Sequence, residues 1–158
     1  MRQLAPLALL ALGYTACLPA IASASGIECY DAKVRAKPVA QVPTVFPRSE
    51  DMNVIIISWP WFVDLDVRRV VEGDVEKGRL EALAVLHTGY VRKTMTFYLR
   101  RNSAGTYNIL RHDADELERC PSNALLATPY LRLGPDRTYA DERREGEERY
   151  RRYYEDDE

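Results

Sequence analysis

Trp61-Phe-Val-Asp-Leu-Asp-Val67 places Trp61, Val63, Leu65 and Val67 on one face of an extended chain and Asp64, Asp66 and Arg68 on the other. Apolar residues recurring with a period of two define a half-buried strand. The alternation slips at Arg68-Arg69 and resumes at Val70, as one extra residue in a β-bulge would make it do. The turn-rich run Glu72-Gly-Asp-Val-Glu-Lys-Gly78 then reverses the chain. The strand that follows, over residues 80–88, is apolar on both faces at its centre (Leu83, Ala84, Val85, Leu86), the pattern of a strand covered on both sides.

Working outward, Lys93 to Arg100 alternates again, with Met95, Phe97 and Leu99 on one face. Asn102-Ser-Ala-Gly105 turns into Thr106 to Arg111, which completes a hairpin. Upstream lie two further strand candidates, Glu28 to Arg35 and Val54 to Ser58. The segment between them, with Pro38, Pro43 and Pro47, reads as an extended linker. Pro60 in Trp59-Pro-Trp-Phe62 denies a ladder hydrogen bond and predicts a bend or sheet edge there. Asp113 with Glu116 forms the pattern of a capping box for a short helix ending at Arg119, and Tyr130 to Leu133 reads as a last edge strand. The fold class is mainly β: a small bent antiparallel sheet or OB-like barrel with one short helix and a charged C-terminal tail.

The run from Leu65 to Val85 resembles the first hairpin of small exported OB-like modules, netrin-like domains among them, in which a long bulged strand ends in a Gly-flanked turn. The resemblance implies a barrel and no particular chemistry. Netrin-like metalloprotease inhibitors use a Cys at the mature N-terminus to reach a metal. Here Cys29 lies several residues inside the expected mature start, so that activity is not expected.

The domain organisation follows from composition. Arg2, the apolar run Leu4 to Leu12 and the small residues Ala20-Ile-Ala-Ser-Ala24 form a secretory leader, residues 1–24, cut after Ala24. Pro6 and Pro19 disfavour the alternative of an uncleaved anchor. A lipoprotein at Cys17 would lack the usual aliphatic residue before it. Cleavage leaves Cys29 and Cys120, which in an oxidising compartment read as one disulfide. Residues 25–135 form the β-rich domain. Residues 136–158 hold six basic and ten acidic side chains and almost no aliphatic ones, so they cannot build a core. Glu145 with Arg149 and Glu148 with Arg152 have the spacing of a solvated helix, with Asp141 capping its start, and a frayed surface extension is the favoured reading of this tail.

The 158-residue chain has a net charge of −2, and residues 25–135 carry 15 basic and 14 acidic side chains, a balance that argues against nucleic acid as a partner. The nucleophile elbow, the zinc-protease helix, the phosphate-binding loop and the dinucleotide fingerprint are all missing from the sequence. Asp64 with Asp66, and His112 with Asp113, Asp115 and Glu116, have residue types suited to acid–base or metal chemistry. The first pair reads more simply as outward polar residues and the second as a helix start, with His87 an ordinary strand residue. No catalytic residue, metal ligand or cofactor is assigned. The most distinctive group is Trp59, Trp61 and Phe62, which with Arg68 and Arg69 forms the expected contact surface for a protein, glycan or hydrophobic ligand. Both Trp filling the end of the barrel is the competing reading. The expected function is a periplasmic or secreted binding module with no membrane span after cleavage. An exported hydrolase and an envelope structural protein assembling through its tail are the alternatives.

Overall fold

Residues 28–45, 55–111 and 117–155 are described by the computed structural model. The leader, the proposed capping box and the His112 cluster fall outside them. Five strands, β1 (Ala32–Pro43), β2 (Trp59–Glu72), β3 (Gly78–Leu86), β4 (Met95–Arg101) and β5 (Tyr107–Ile109), precede one helix, α1 (Tyr139–Glu155). The strands close into a barrel in the order β1-β2-β3-β5-β4, with β1 pairing antiparallel to β4 and β3 pairing parallel to β5. Among the described residues the protein is thus a mainly β, OB-like barrel with one C-terminal helix.

Closure with so few strands requires sharply coiled ribbons, and bulges supply the coiling. Arg35 pairs with Arg69 but Ala36 pairs with Val67, so Arg68 is the extra residue that the broken alternation predicts. A further irregularity separates Lys33 from Val34, and another, at Val39, lies between Pro38 and Ala40. β1 consequently bends enough to pair with β4 over Ala32–Ala36 while following β2 from Lys33 to Pro43. Gly73 completes the turn after β2 at φ 91°, where a Cβ would lie 2.3 Å from the Asp31 carbonyl oxygen.

Inside the barrel, Val34, Val63, Leu65, Val67, Phe97, Leu99 and Ile109 pack with Trp61 into one core. The outer face of β2–β3 is apolar as well: Phe62, Leu83 and Val42 form a second cluster with Tyr130, Leu131 and Tyr139. This explains why Leu83 to Leu86 reads as a strand covered on both sides. Helix α1 is the cover.

Several expectations are corrected. The Pro-rich segment is not a linker. β1 runs through Pro38 to Pro43, because Pro38 sits where the register of β1 shifts. Residues 55–58 are not a strand, and the strand starts at Trp59. Pro60 lies inside β2 opposite Val85, and its carbonyl accepts bonds from the Thr44 backbone N–H (3.2 Å) and hydroxyl (2.7 Å). Residues 130–133 form no strand, because Tyr130 and Leu131 pack as side chains against the outer cluster. The tail is not frayed over Tyr139–Glu155. Its helix is capped by Thr138 and not by Asp141: the Thr138 hydroxyl accepts from the Asp141 N–H at 3.1 Å, and the Asp141 carboxylate accepts from the Thr138 N–H at 3.3 Å. The Glu145–Arg149 pair forms, at 2.7 Å.

Cys29 and Cys120 are joined by a disulfide that spans 91 residues of sequence. It reinforces a short bridge in which the Tyr30 N–H donates to the Glu118 carbonyl and the Cys120 N–H to the Tyr30 carbonyl. For a loop of that length, replacing both cysteines by Ser is expected to lower stability by about 2–4 kcal/mol, read from urea unfolding under non-reducing conditions. Gly146 gives a second prediction. A Cβ there would lie 2.5 Å from the Pro43 carbonyl oxygen. Gly146→Ala, which in an exposed helix would add up to about 1 kcal/mol, is therefore expected to lower the thermal midpoint instead.

Candidate ligand-binding cleft

Asp64 is fully buried, not displayed outward. Its alternation does place it on the outer face of β2, but α1 lies across that face. Arg143 grips it with two parallel bonds, Nη1 to Oδ1 at 2.8 Å and Nη2 to Oδ2 at 2.7 Å, and Arg79 bonds Oδ2 from the opposite side. Burial alone would raise the carboxyl pKa, but the bonds from Arg143 and Arg79 outweigh it and hold Asp64 below the ordinary carboxylate value. The Arg143 guanidinium is correspondingly raised, chiefly by its bonds to Asp64. Oδ1 thus accepts one guanidinium bond and Oδ2 two, with no side-chain surface left exposed. Asp64 is therefore engaged as a buried ion-pair partner of two arginines, and Asp66, 2.6 Å from Arg68, has its own partner. Among the described residues no three His, Cys, Asp or Glu side chains gather at metal-binding spacing.

Where α1 passes the open end of the barrel, it leaves a cleft of about 690 Å³. One wall is the end of β1 with Gln41, Pro43 and Thr44. The floor is Trp59 and Trp61, the opposite wall is the loop from His87 to Arg92, and the rim is Gly146, Arg149 and Tyr150 of α1. The two indoles lie with centroids 5.8 Å apart at 37°. Strand alternation puts both on the inner face, so the packed reading of the Trp pair is the one the structure adopts. Trp61 is 9% exposed, and its buried Nε1 has no acceptor among the described residues.

The loop is pinned by one side chain. The Gln41 amide donates to the Tyr90 carbonyl at 2.9 Å and accepts from the Tyr90 N–H at 2.6 Å, a side-chain copy of a β-bridge. The Tyr90 ring then stacks edge-on against Phe97 at 5.3 Å, and burial, with a smaller contribution from Tyr130, pushes its hydroxyl pKa up to about 12. His87 Nδ1 lies 2.6 Å from the Ile57 carbonyl and donates its N–H to it. On the far side of His87 and Tyr90 a second hollow, about 530 Å³, is lined by Glu28, Arg111 and Tyr130 among others.

The five residues expected to form one contact surface are divided. Trp59 and Trp61 floor the cleft. Phe62 faces outward under α1, edge-on to Tyr139 at 6.2 Å. Arg68 and Arg69 lie about nine residues further along β2, some 30 Å of strand away. Arg69 stands directly opposite Arg35, a like-charge juxtaposition that disfavours the pair. Gln41 and Tyr90 escaped the sequence reading because nothing local marks them: they meet across 49 residues. Comparison with protein-family models, curated proteins and solved structures returns no match.

The Asp64 lock predicts a pH signature. Because the folded-state value of Asp64 is depressed, its stabilisation is complete above the unfolded carboxylate value, about 3.9, and is lost as pH falls through the folded value. Arg143→Ala is expected to cost about 2–4 kcal/mol near neutral pH, since it leaves a buried carboxylate with Arg79 alone. Urea unfolding of Asp64→Asn should show a deficit relative to wild type that shrinks below about pH 4.

Proposed function

We propose that this protein is an exported binding module whose ligand seat is the cleft at the open end of the barrel. The observation that carries this reading is the cleft itself. At about 690 Å³ it falls within the ~300–1,000 Å³ of small-molecule sites, with an aromatic floor and a few polar groups at its rim. A binding role fits the surroundings better than hydrolysis, because the carboxylate that resembled a catalytic group is buried and bonded by two arginines. The leader, residues 1–24, supports export to the periplasm or outside the cell. Among the described residues no helix is long and apolar enough to cross a membrane. The walls come from β1, the loop and α1, held together by the Gln41 clamp and the Asp64 lock, so little ordering remains to be done on binding.

The chain has two Trp, and both floor the cleft. Their indole N–H signals in NMR spectra therefore report its occupancy. A fragment library screened against the oxidised mature chain is expected to give ligands that shift both indole signals, with Tyr150→Ala weakening them severalfold. A library that moves neither indole would overturn the reading.

A further inference from the structure

We propose that the cleft takes a planar aromatic anion, its rings against Trp59 and Trp61 and its carboxylate, sulfonate or phosphate head at Arg92. This rests on the cleft being the ligand seat and adds the chemistry of what it seats.

The charge lining the cleft is one-signed. The chain carries 24 acidic residues against 22 basic ones, yet among the described residues that line the cleft Arg92 and Arg149 are charged and none is acidic. Arg149 shares its charge with Glu145 at 2.7 Å. Arg92 is exposed at the end of the loop wall and makes no hydrogen bond or ion pair among the described residues. An unpaired guanidinium beside an apolar floor presents a planar fork suited to an oxyanion.

The other polar groups narrow the class further. Gln41, Thr44 and the Nδ1 of His87 are each already bonded to backbone, and the Nε1 of Trp61 is buried beneath the surface. A neutral sugar needs several donors and acceptors facing it at once, and three of this cleft's polar side chains are engaged in holding its walls. What it offers a ligand is ring surface and positive charge. Flat ligands gain most from the two tilted indoles, because offset stacking rewards a second π-face.

The test compares two dyes on the oxidised mature chain by quenching of tryptophan fluorescence: anilinonaphthalene sulfonate, and phenylnaphthylamine, which has the same rings without the sulfonate. One sulfonate dye per chain is expected, bound about tenfold or more tighter than the neutral dye, as a charge-assisted contact provides. Arg92→Gln should weaken the sulfonate dye about tenfold and leave the neutral dye nearly unchanged. Arg111→Gln, at the second hollow, should affect neither, and unchanged thermal midpoints show that both variants fold. Equal binding of the two dyes, or equal losses in the two variants, overturns the anion assignment while leaving the cleft as a binding site. Failure of both dyes to quench the tryptophans overturns the cleft as a ligand seat and the assignment with it.

Discussion

A carboxylate with no exposed surface organises this molecule. Removing Asp64 from water costs several kcal/mol unless its oxygens are fully bonded, and the barrel alone provides one partner, Arg79. The second must come from outside the sheet, and Arg143 brings α1 with it. Because the guanidinium is a rigid fork that meets both oxygens at once, it sets where the helix lies and how it is rotated about its axis. Gly146, one turn further on, then lets the helix backbone approach the end of β1 closely. The lock and the close approach together bury Phe62 and Leu83, which a bare barrel would leave facing solvent.

The cleft is a consequence of the same geometry. A closed five-stranded barrel has an interior only wide enough for side chains, so a ligand site has to form at a mouth or against an added element. Both occur here. Trp59 and Trp61 occupy the first inward positions of β2, Tyr90 plugs the barrel beside them, and the C-terminal half of α1 raises a wall over the opening. The polar groups that would make such a mouth wet are mostly engaged in holding loop and strand together. This leaves an aromatic floor with cationic groups above it.

Much of the barrel was legible in local pattern. The period of two in β2, the broken alternation at Arg68, the turn before Gly78 and the hairpin at Asn102–Gly105 all follow from where side chains must point. What misled was proline. Pro38 and Pro43 were read as breaking a strand that runs through them, because the register shifts at Pro38 and Pro43 ends the pairing. Asp64 misled in the opposite way: its alternation was right, but an outer face is solvated only if nothing covers it. The cover was hidden by its composition. Tyr139, Arg143, Gly146 and Tyr150 fall on one face of α1 at helical spacing, but without an aliphatic residue among them the stripe reads as a soluble surface.

The sequence by itself determined strands β2 to β5, their inward faces and the bulge, since each depends on local periodicity, and it pointed to the pairing of Cys29 with Cys120. Only the tertiary structure decided that the charged tail is a seated helix, that Asp64 is its anchor, and that Gln41, Tyr90, Trp59 and Trp61 surround one cleft. These are meetings between residues tens of positions apart. Neither side-chain periodicity nor composition carries information about which distant surfaces face each other; burial and charge pairing settle that once the chain has closed.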